Sequence, residues 1–598
     1  MMFTPENFHK QAFDASSLEL KDSRRTVIRM AWIRLICFIG IISGVWLVLR
    51  HENVGYFIAS ACILFFLLAL KYYNEAQTKS KLLEIRIKLH SLELKALDGD
   101  FDGFDDGKRF IEPSHPYSFD LDVFGLKSLY NQVCRTTTPS GDKYLSELLT
   151  TPVSSTADLE NRQKLVQEFA ANPKFCIDFR VAGGGIGLLK ATDFEQQLKY
   201  WTHVEHPFLM SRWIRIAVMV SSLSMGVLLL LKLAWVIPFS WFTAPLIFNF
   251  LLLGVHIRKI NSINALSGII SEATITLHKL LLSVQKHQFN YEKLNTLKQE
   301  SESASRAIRK LNALLNVFDI RLNMILGALL NLLFLFDFHC LFRIEDWKRK
   351  HKDLIKKSYD SLTFMDVYQS LGNWAFLNPT NTYPVFIEGN AEMYAENLKH
   401  PLINPQDAIG NILSLGKNEK LVVLTGANMT GKSTWLRTIG LSVVAANCGL
   451  PISSSSATLP LLNVYTSMRI TDSLDTGISY FKAELNRLKS MLDTIAQSNQ
   501  TWVILLDEPL RGTNSGDKQA GTIGLINRLL KLPTIGLVAT HDAALCELKE
   551  SNSGKLSNYH FDSQLVGAEL KFDYHLKEGC STSNNATLLM QLTGILDA

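Results

Sequence analysis

Charge is scarce in this sequence. Only 20% of its 598 residues are Asp, Glu, Lys or Arg, against 47% hydrophobic, which is too apolar a balance for a wholly soluble enzyme. Cysteine is sparse and scattered: Cys37, Cys62, Cys134, Cys176, Cys340, Cys448, Cys546 and Cys580 form no CxxC pair. That excludes an argument for a zinc site, excludes a small disulfide scaffold, and points to a reducing compartment. A strong excess of one charge is missing too. The 61 Lys plus Arg against 56 Asp plus Glu give +5, which does not by itself indicate nucleic acid, although near a membrane it favours anionic lipid. No short-period repeat is present. A signal peptide is not expected, because the first apolar run starts beyond residue 30 and a second follows at once. The length exceeds what one core normally supports, so several domains are expected.

The apolar excess is concentrated in runs. "AWIRLICFIGIISGVWLVL" (31–49) and "VGYFIASACILFFLLAL" (54–70) form one pair; "IAVMVSSLSMGVLLLLKLAWVI" (216–237) and "FSWFTAPLIFNFLLLGVHI" (239–257) form another. Each approaches the ~20 residues needed to cross a bilayer, and the connections within each pair are short enough for tight turns, so two transmembrane hairpins are expected. Lys232 sits where it can snorkel, with Trp235 and Trp241 at belt positions. Lys21, Arg24, Arg25, Arg29 and Arg34 flank the first hairpin on one side, and Lys71, Lys79, Lys81 and Arg86 follow it. Arg212 and Arg215 precede the second hairpin, and Arg258 and Lys259 follow it. This placement puts the ends of both hairpins in the cytoplasm. A fifth run, "LNMILGALLNLLFLFDFHC" (322–340), is interrupted by Asn323, Asn331 and Asp337 and reads as a buried core helix.

Between the runs the pattern is helical. Segment 71–97 reads as a helix continuing from the first hairpin, and 117–200 and 261–380 as two parts of an all-α core. "LDGDFDGFDDGKRF" opens a Gly/Asp-rich linker (98–116) that places Asp98, Asp100, Asp102 and Gly103 like the first half of a calcium loop. Arg109 stands at its twelfth position in place of the bidentate Glu, so a solvated turn is expected there. From 381 to 598 short apolar strands alternate with helices, which predicts an α/β domain with a buried sheet.

The most specific motif lies in that domain. Gly426-Ala427-Asn428-Met429-Thr430-Gly431-Lys432-Ser433, followed by Thr434, fits G-x-x-x-x-G-K-[ST] between a predicted strand and a predicted helix. Glycines in such a loop bring backbone N–H groups to phosphate oxygens at a helix N-terminus. Lys432 is expected to reach the β- and γ-phosphates of ATP, and Ser433 to hold Mg2+. Further on, "VILLDEP" ends an apolar strand with Asp507, a second magnesium position, and Glu508, placed to polarise an attacking water. An acidic pair after an apolar strand is by itself often only a capped strand end; the preceding loop favours the catalytic reading. His541 closes "TIGLVATH", where it can sense a terminal phosphate or orient water, although a lone histidine is more often structural.

Four motifs in order resemble the MutS family of ATPases, the mismatch-repair relatives of ABC-type nucleotide-binding domains. They are "TGANMTGKST" (425–434), "DSLDTGISYFKAE" (472–484), "LLDEPLRGTNSGD" (505–517) and "ATHD" (539–542). The resemblance implies a homodimer in which Ser479 reaches in trans to the γ-phosphate held by the other subunit. It matches Asp472, Leu474, Gly477, Phe481 and Glu484 to the family's second motif. "SLYNQVCRTTTPSGDKYLSELLTTP" (128–152) and "LENRQKLV" (159–166) look like the start of the family's helical core, and "HPLI" (400–403) like the start of its ATPase domain. Pro509 and Leu510 depart from the usual pattern, and nothing resembles the mismatch-reading domain, its Phe-x-Glu wedge, or a C-terminal nuclease-like domain, so the resemblance is to a divergent branch.

The expected protein is therefore a membrane-anchored MutS-like ATPase: an α/β P-loop domain of ABC type on an all-α core, with two transmembrane hairpins at 1–97 and 201–260. ATP and Mg2+ are the implied cofactors, and a second copy and the bilayer the implied partners. DNA contact is left open without mismatch specificity. A transporter is the competing class, ranked lower because ionisable groups within the runs are few; a membrane scaffold shares the same chemistry.

Overall fold

The computed structural model describes residues 4–153, 155–184, 200–389, 392–416, 419–427, 429–469, 480–498, 500–552, 554–566 and 569–581. The chain divides into an all-α N-terminal region and a mixed α/β C-terminal region that resembles a P-loop NTPase fold.

Helices α1 (Pro5–Leu49) and α2 (Val54–Leu97) lie along each other as one long pair. Thr4 caps α1 by accepting from the Asn7 N–H, with Pro5 in the first turn where its missing N–H costs nothing. The close approach is set by small residues. A Cβ on Gly44 would lie 2.7 Å from the Ala59 nitrogen, and one on Gly55 would lie 2.6 Å from the Gly44 carbonyl. With α7 (Arg212–Leu233) and α8 (Thr243–Lys286), these make four helices long and apolar enough to cross a membrane, counting the short turn that leads into α8. Their apolar windows are only 11–17% buried within the protein, so hydrocarbon-type side chains cover their outer faces.

The core helices α3 (Leu129–Val133), α4 (Pro139–Thr150), α5 (Thr156–Ala170) and α6 (Pro173–Ala182) pack on α11 (Phe336–Leu377), and α9 (Glu292–Phe318) runs back along α8. Asp366 of α11 organises the centre. Fully buried, it accepts the Thr137 and Thr138 amides and both of their hydroxyls, fixing the turn that starts α4. The first helix pair is tied on by a second buried group. Glu93 of α2 receives Arg135 (3.0 Å) and Arg180 (2.5 Å), all with side chains at most 1% exposed.

In the α/β region six strands run in the order β10-β9-β4-β8-β7-β6. β4 (Leu421–Thr425), β6 (Leu462–Ser467), β7 (Thr501–Asp507), β8 (Thr534–Ala539) and β9 (Leu556–Val566) are parallel, and β10 (Glu569–Glu578) is antiparallel to β9. Alternation along β7 places Val503 and Leu505 in the core shared with α12 (Lys432–Asn447) and the helical region. Ile504 and Leu506 lie in a second core with α13 (Tyr480–Ala496) and α14 (Ser515–Leu529). A four-stranded sheet of order β1-β5-β2-β3, from Val385–Ile387, Ser456–Pro460, Met393–Leu398 and Asn411–Leu415, flanks it and was not anticipated from the sequence.

Two expectations are corrected and a third is extended. Residues 322–340 are not a buried core helix: the chain breaks at Leu335 (φ 48°), leaving α10 (Met324–Phe334) with Met324 and Ile325 more than 80% exposed. Its apolar side chains outnumber the neighbours available to cover them. Cys546 and Cys580 form a disulfide, although the scattered cysteines pointed to a reducing compartment; the β9–β10 hairpin returns the chain to the start of its own excursion. The linker 98–116 is a solvated turn at Asp98, Asp100, Asp102 and Gly103, all exposed, as expected, and its second half docks on the helical region. Arg109 donates to both Asp105 oxygens (2.9 and 2.8 Å) and to Asp142 (2.7 Å), and Phe104 is buried. The guanidinium at the twelfth position thus ties the linker to α4 through Asp105 and Asp142 instead of supplying a cation ligand.

Candidate functional site

β4 delivers the glycine loop at its C-terminal end. Gly426 has φ 147°, and a Cβ there would sit 2.9 Å from both the Phe561 carbonyl and the Thr430 hydroxyl; Gly431 has φ 105° and caps α12. Both positions require glycine. Met429 also takes a left-handed conformation (φ 68°) and projects outward. Thr430 closes the loop by donating to the Ala427 carbonyl at 2.8 Å. Lys432 is buried and folded back, donating to the carbonyls of Gly426 (2.5 Å) and Ala427 (2.8 Å). Burial lowers its pKa, opposed by the carboxylates of Glu508 and Asp507. Ser433 donates to Asp507 Oδ2 at 2.5 Å, bringing the two expected metal positions together from the first turn of α12 and the end of β7. Thr434 lies beside them in the same cleft.

Glu508 follows β7 with φ 50°, its N–H held by the Ala539 carbonyl at 2.8 Å. His541 Nδ1 lies 3.2 Å from Glu508 Oε1, while Arg511 and Lys518 approach the other oxygen at 3.6 and 3.9 Å. Burial pulls the Glu508 pKa upward, but His541, Arg511 and Lys518 outweigh it and hold the carboxyl below its usual range. The structure thus brings together Glu508, His541, Lys432, Ser433 and Asp507. Asn428 and Ser479, with Asp472, Leu474 and Gly477, lie outside the described residues.

The described part of the second motif has a local role. Glu484 is 2% exposed and accepts the Leu510 N–H at 2.6 Å; Phe481 packs against Gly512, where a Cβ would lie 2.9 Å from the phenylalanine Cβ. Leu510 has φ 64°, so α13 braces a strained turn immediately after Glu508.

The cleft measures about 740 Å³. Its charged lining includes Lys432, Asp507, Glu508 and Arg511, and its apolar lining includes Ile403, Ile409, Phe561 and Tyr574, the last two beside the glycine loop. Sequence reading missed Arg511 as a lining group, although it stands within the quoted "DEPLRG". Phe561 and Tyr574 come from the C-terminal hairpin and carried no motif. His400 lines the same cleft, pushed down to about 4 by burial and then by Arg437, with Asp122 opposing.

Behind the loop, α12 and β6 are latched to the helical region. Fully buried Asp120 accepts from Thr466 Oγ1 (2.7 Å), the amides of Met468 and Arg469 (3.1 Å each) and Arg487 (3.0 Å). Two residues on, Asp122 pairs at the surface with Arg469 (2.5 Å) and Arg437 (3.2 Å).

A family model described as MutS domain V matches residues 422–595. Among curated proteins, the chain is similar to the DNA mismatch repair protein MutS of Thermotoga petrophila, 29% identical over 252 residues. It is similar to the protein of the same name from Thermotoga sp. strain RQ2, 30% identical over 252 residues, and to that from Aquifex pyrophilus, 29% over 250 residues. The matches cover 41–42% of this chain and 28–31% of those relatives, so the chain spans about a third of the length of the proteins it matches. They support a divergent MutS-type ATPase region in a chain that also carries candidate membrane-spanning helices.

Proposed function

We propose that the protein is a membrane-anchored ATPase of MutS type that binds ATP with Mg2+ in this cleft and hydrolyses it. The observation that carries the reading is the meeting of Ser433 with Asp507 at 2.5 Å beside Glu508 and His541. The donor set fits the implied groups: two hard oxygens suit magnesium, loop glycines leave room for phosphate, and Lys432 on carbonyls is a cation held ready in a buried position. Ser433 and Asp507 would hold the metal, which neutralises phosphate charge when bound. Lys432 exchanges its two carbonyl partners for phosphate oxygens, and the apolar wall of Ile403, Ile409, Phe561 and Tyr574 takes the base. Glu508, held ionised beside His541, Arg511 and Lys518, accepts a proton from the attacking water; His541 orients that carboxylate.

Hydrolysis is proposed to require two copies, each completing the other's cleft with Ser479, as the family resemblance implies. The four apolar helices are proposed as the anchor, with the helical core and ATPase region on the side of the flanking Lys and Arg. Closure of the cleft would reach the anchor through α12, the Asp120 latch, and Arg135 and Arg180 on Glu93 of α2. DNA mismatch repair is said of the relatives, about a third of whose length this chain matches.

The test is Glu508→Gln. ATP affinity by equilibrium binding is retained while turnover falls by about 10²–10⁴; unchanged turnover would remove Glu508 from the reaction. Distances between labels on two copies, with and without ATP, test closure.

A further inference from the structure

The break at Leu335 has a polar environment that the apolar composition of 322–340 does not suggest. The end of α10 leaves carbonyls without helical partners, and side chains from the flanking apolar helices take them up. Asn249 of α8, fully buried, donates to the carbonyls of Leu332 (2.8 Å) and Leu333 (3.2 Å) and accepts from Ser221 of α7 at 2.6 Å. Ser222 of α7 lies 2.9 Å from both the Phe334 carbonyl and His339 Nε2. Asn331 accepts the Asp337 N–H at 2.8 Å, and Asp337 pairs with Arg321 at 3.2 Å.

This arrangement fixes depth. Ser222 stands six positions inside the run beginning at Ile216, and Asn249 eight positions before its partner run ends at Ile257. At 1.5 Å per residue the break is roughly 9–12 Å within the apolar layer along those helices. Both flanks return to one level. Arg321 lies beside Asn261, just past Arg258 and Lys259, and Asp346 of α11 meets Arg215 at the start of α7. The direction changes by 104° between the helix ending at Leu322 and α10. On the outer side Leu322, Met324, Ile325 and Leu329 are 51–88% exposed, continuous with the exposed faces of α7 and α8.

We propose that residues 319–335 form a re-entrant wedge, a fifth membrane element that enters and leaves on the ATPase side and whose exposed face contacts lipid acyl chains. Irregular backbone at membrane depth is tolerated only where protein groups satisfy it, and Asn249 and Ser222 do so. The occupant is lipid because the face is apolar, continuous with the candidate spans, and bounded by Arg258, Lys259 and Arg343, where anionic headgroups lie. The wedge leads directly into α11, whose other end carries Asp366, so α11 runs from the wedge to the helical core. The inference rests on the membrane reading of α7 and α8.

The test uses the full chain in bilayers containing phosphatidylcholine with a diazirine midway along an acyl chain, followed by mass-spectrometric mapping of adducts. Adducts on 322–334 are expected at a yield comparable with those on α7 and α8, with none on 292–315. Adducts on α7 and α8 but none on 322–334 would overturn the wedge and leave the anchor standing; none on any of the four long helices would overturn both. Impermeant biotinylation of Lys310 and Lys350 is expected from the same side as the ATPase region. Labelling from opposite sides would make the segment a span and overturn the proposal.

Discussion

Asp120→Ala is the sharpest perturbation of the joint between the helical region and the nucleotide cleft. The wild-type carboxylate is fully buried and accepts one hydroxyl, two amides and a guanidinium. Its loss leaves Arg487, 14% exposed, without its counter-charge. Breaking one side of a buried pair costs about 3–5 kcal/mol. Arg487 keeps carbonyl partners at Thr466, Pro113, His115 and Pro116, which holds the value to that range although two amides are also stranded. At about 2–4 °C per kcal/mol for a region of this size, the melting temperature should fall by about 6–20 °C. Tryptophan fluorescence in nanodiscs reports it, because Trp435 and Trp502 are buried in the α/β region. Asp122→Ala is the internal control: its carboxylate is 42% exposed, so its loss should cost about 1 kcal/mol or less. A double-mutant cycle with Arg487→Met should return a coupling of at least about 1 kcal/mol. Equal melting temperatures for the Asp120 and Asp122 variants, or no coupling, would refute the latch.

Further outcomes follow from other contacts. Asp507→Asn should raise the magnesium concentration needed for ATP turnover while leaving the stability within about 1 kcal/mol of wild type; an unchanged magnesium profile would remove Asp507 from the metal site. His400 has a folded pKa of about 4, below its unfolded value near 6.5. Its neutral form therefore favours folding, a contribution complete above pH ~6.5 and lost as pH falls through 4, amounting to about 3 kcal/mol. The stability difference between wild type and His400→Asn should shrink across that window. Gly372→Ala should destabilise by at least about 1–3 kcal/mol, since its Cβ would lie 2.3 Å from the Phe169 Cβ where α11 crosses α5. A neutral result would mean that the two helices are not in contact there.

Much of the α/β architecture was legible because its signals are local. A glycine loop between an apolar strand and a helix, and an acidic pair ending another apolar strand, need only short-range spacing to be read. The Gly/Asp-rich linker was less legible, because the partner that docks it, Asp142 of α4, lies beyond it in sequence. The 322–340 run was misjudged for a related reason. Composition records that Asn331 and Asp337 interrupt it, but a buried location and a membrane location both tolerate a satisfied polar group, and only neighbours tell them apart.

The sequence alone determined that a nucleotide-type loop sits on an α/β region and that four apolar runs lie apart from it, since both properties are written in contiguous residues. The tertiary structure alone decided that Ser433 meets Asp507, that Arg511 and the C-terminal hairpin wall the cleft, and that Asp120 and Glu93 lock separate regions together. It also decided that α10 opens outward while Asn249 and Ser222 close its end. These pairings join residues far apart along the chain, and their partners are chosen by burial and hydrogen-bond satisfaction in three dimensions, which linear spacing does not encode.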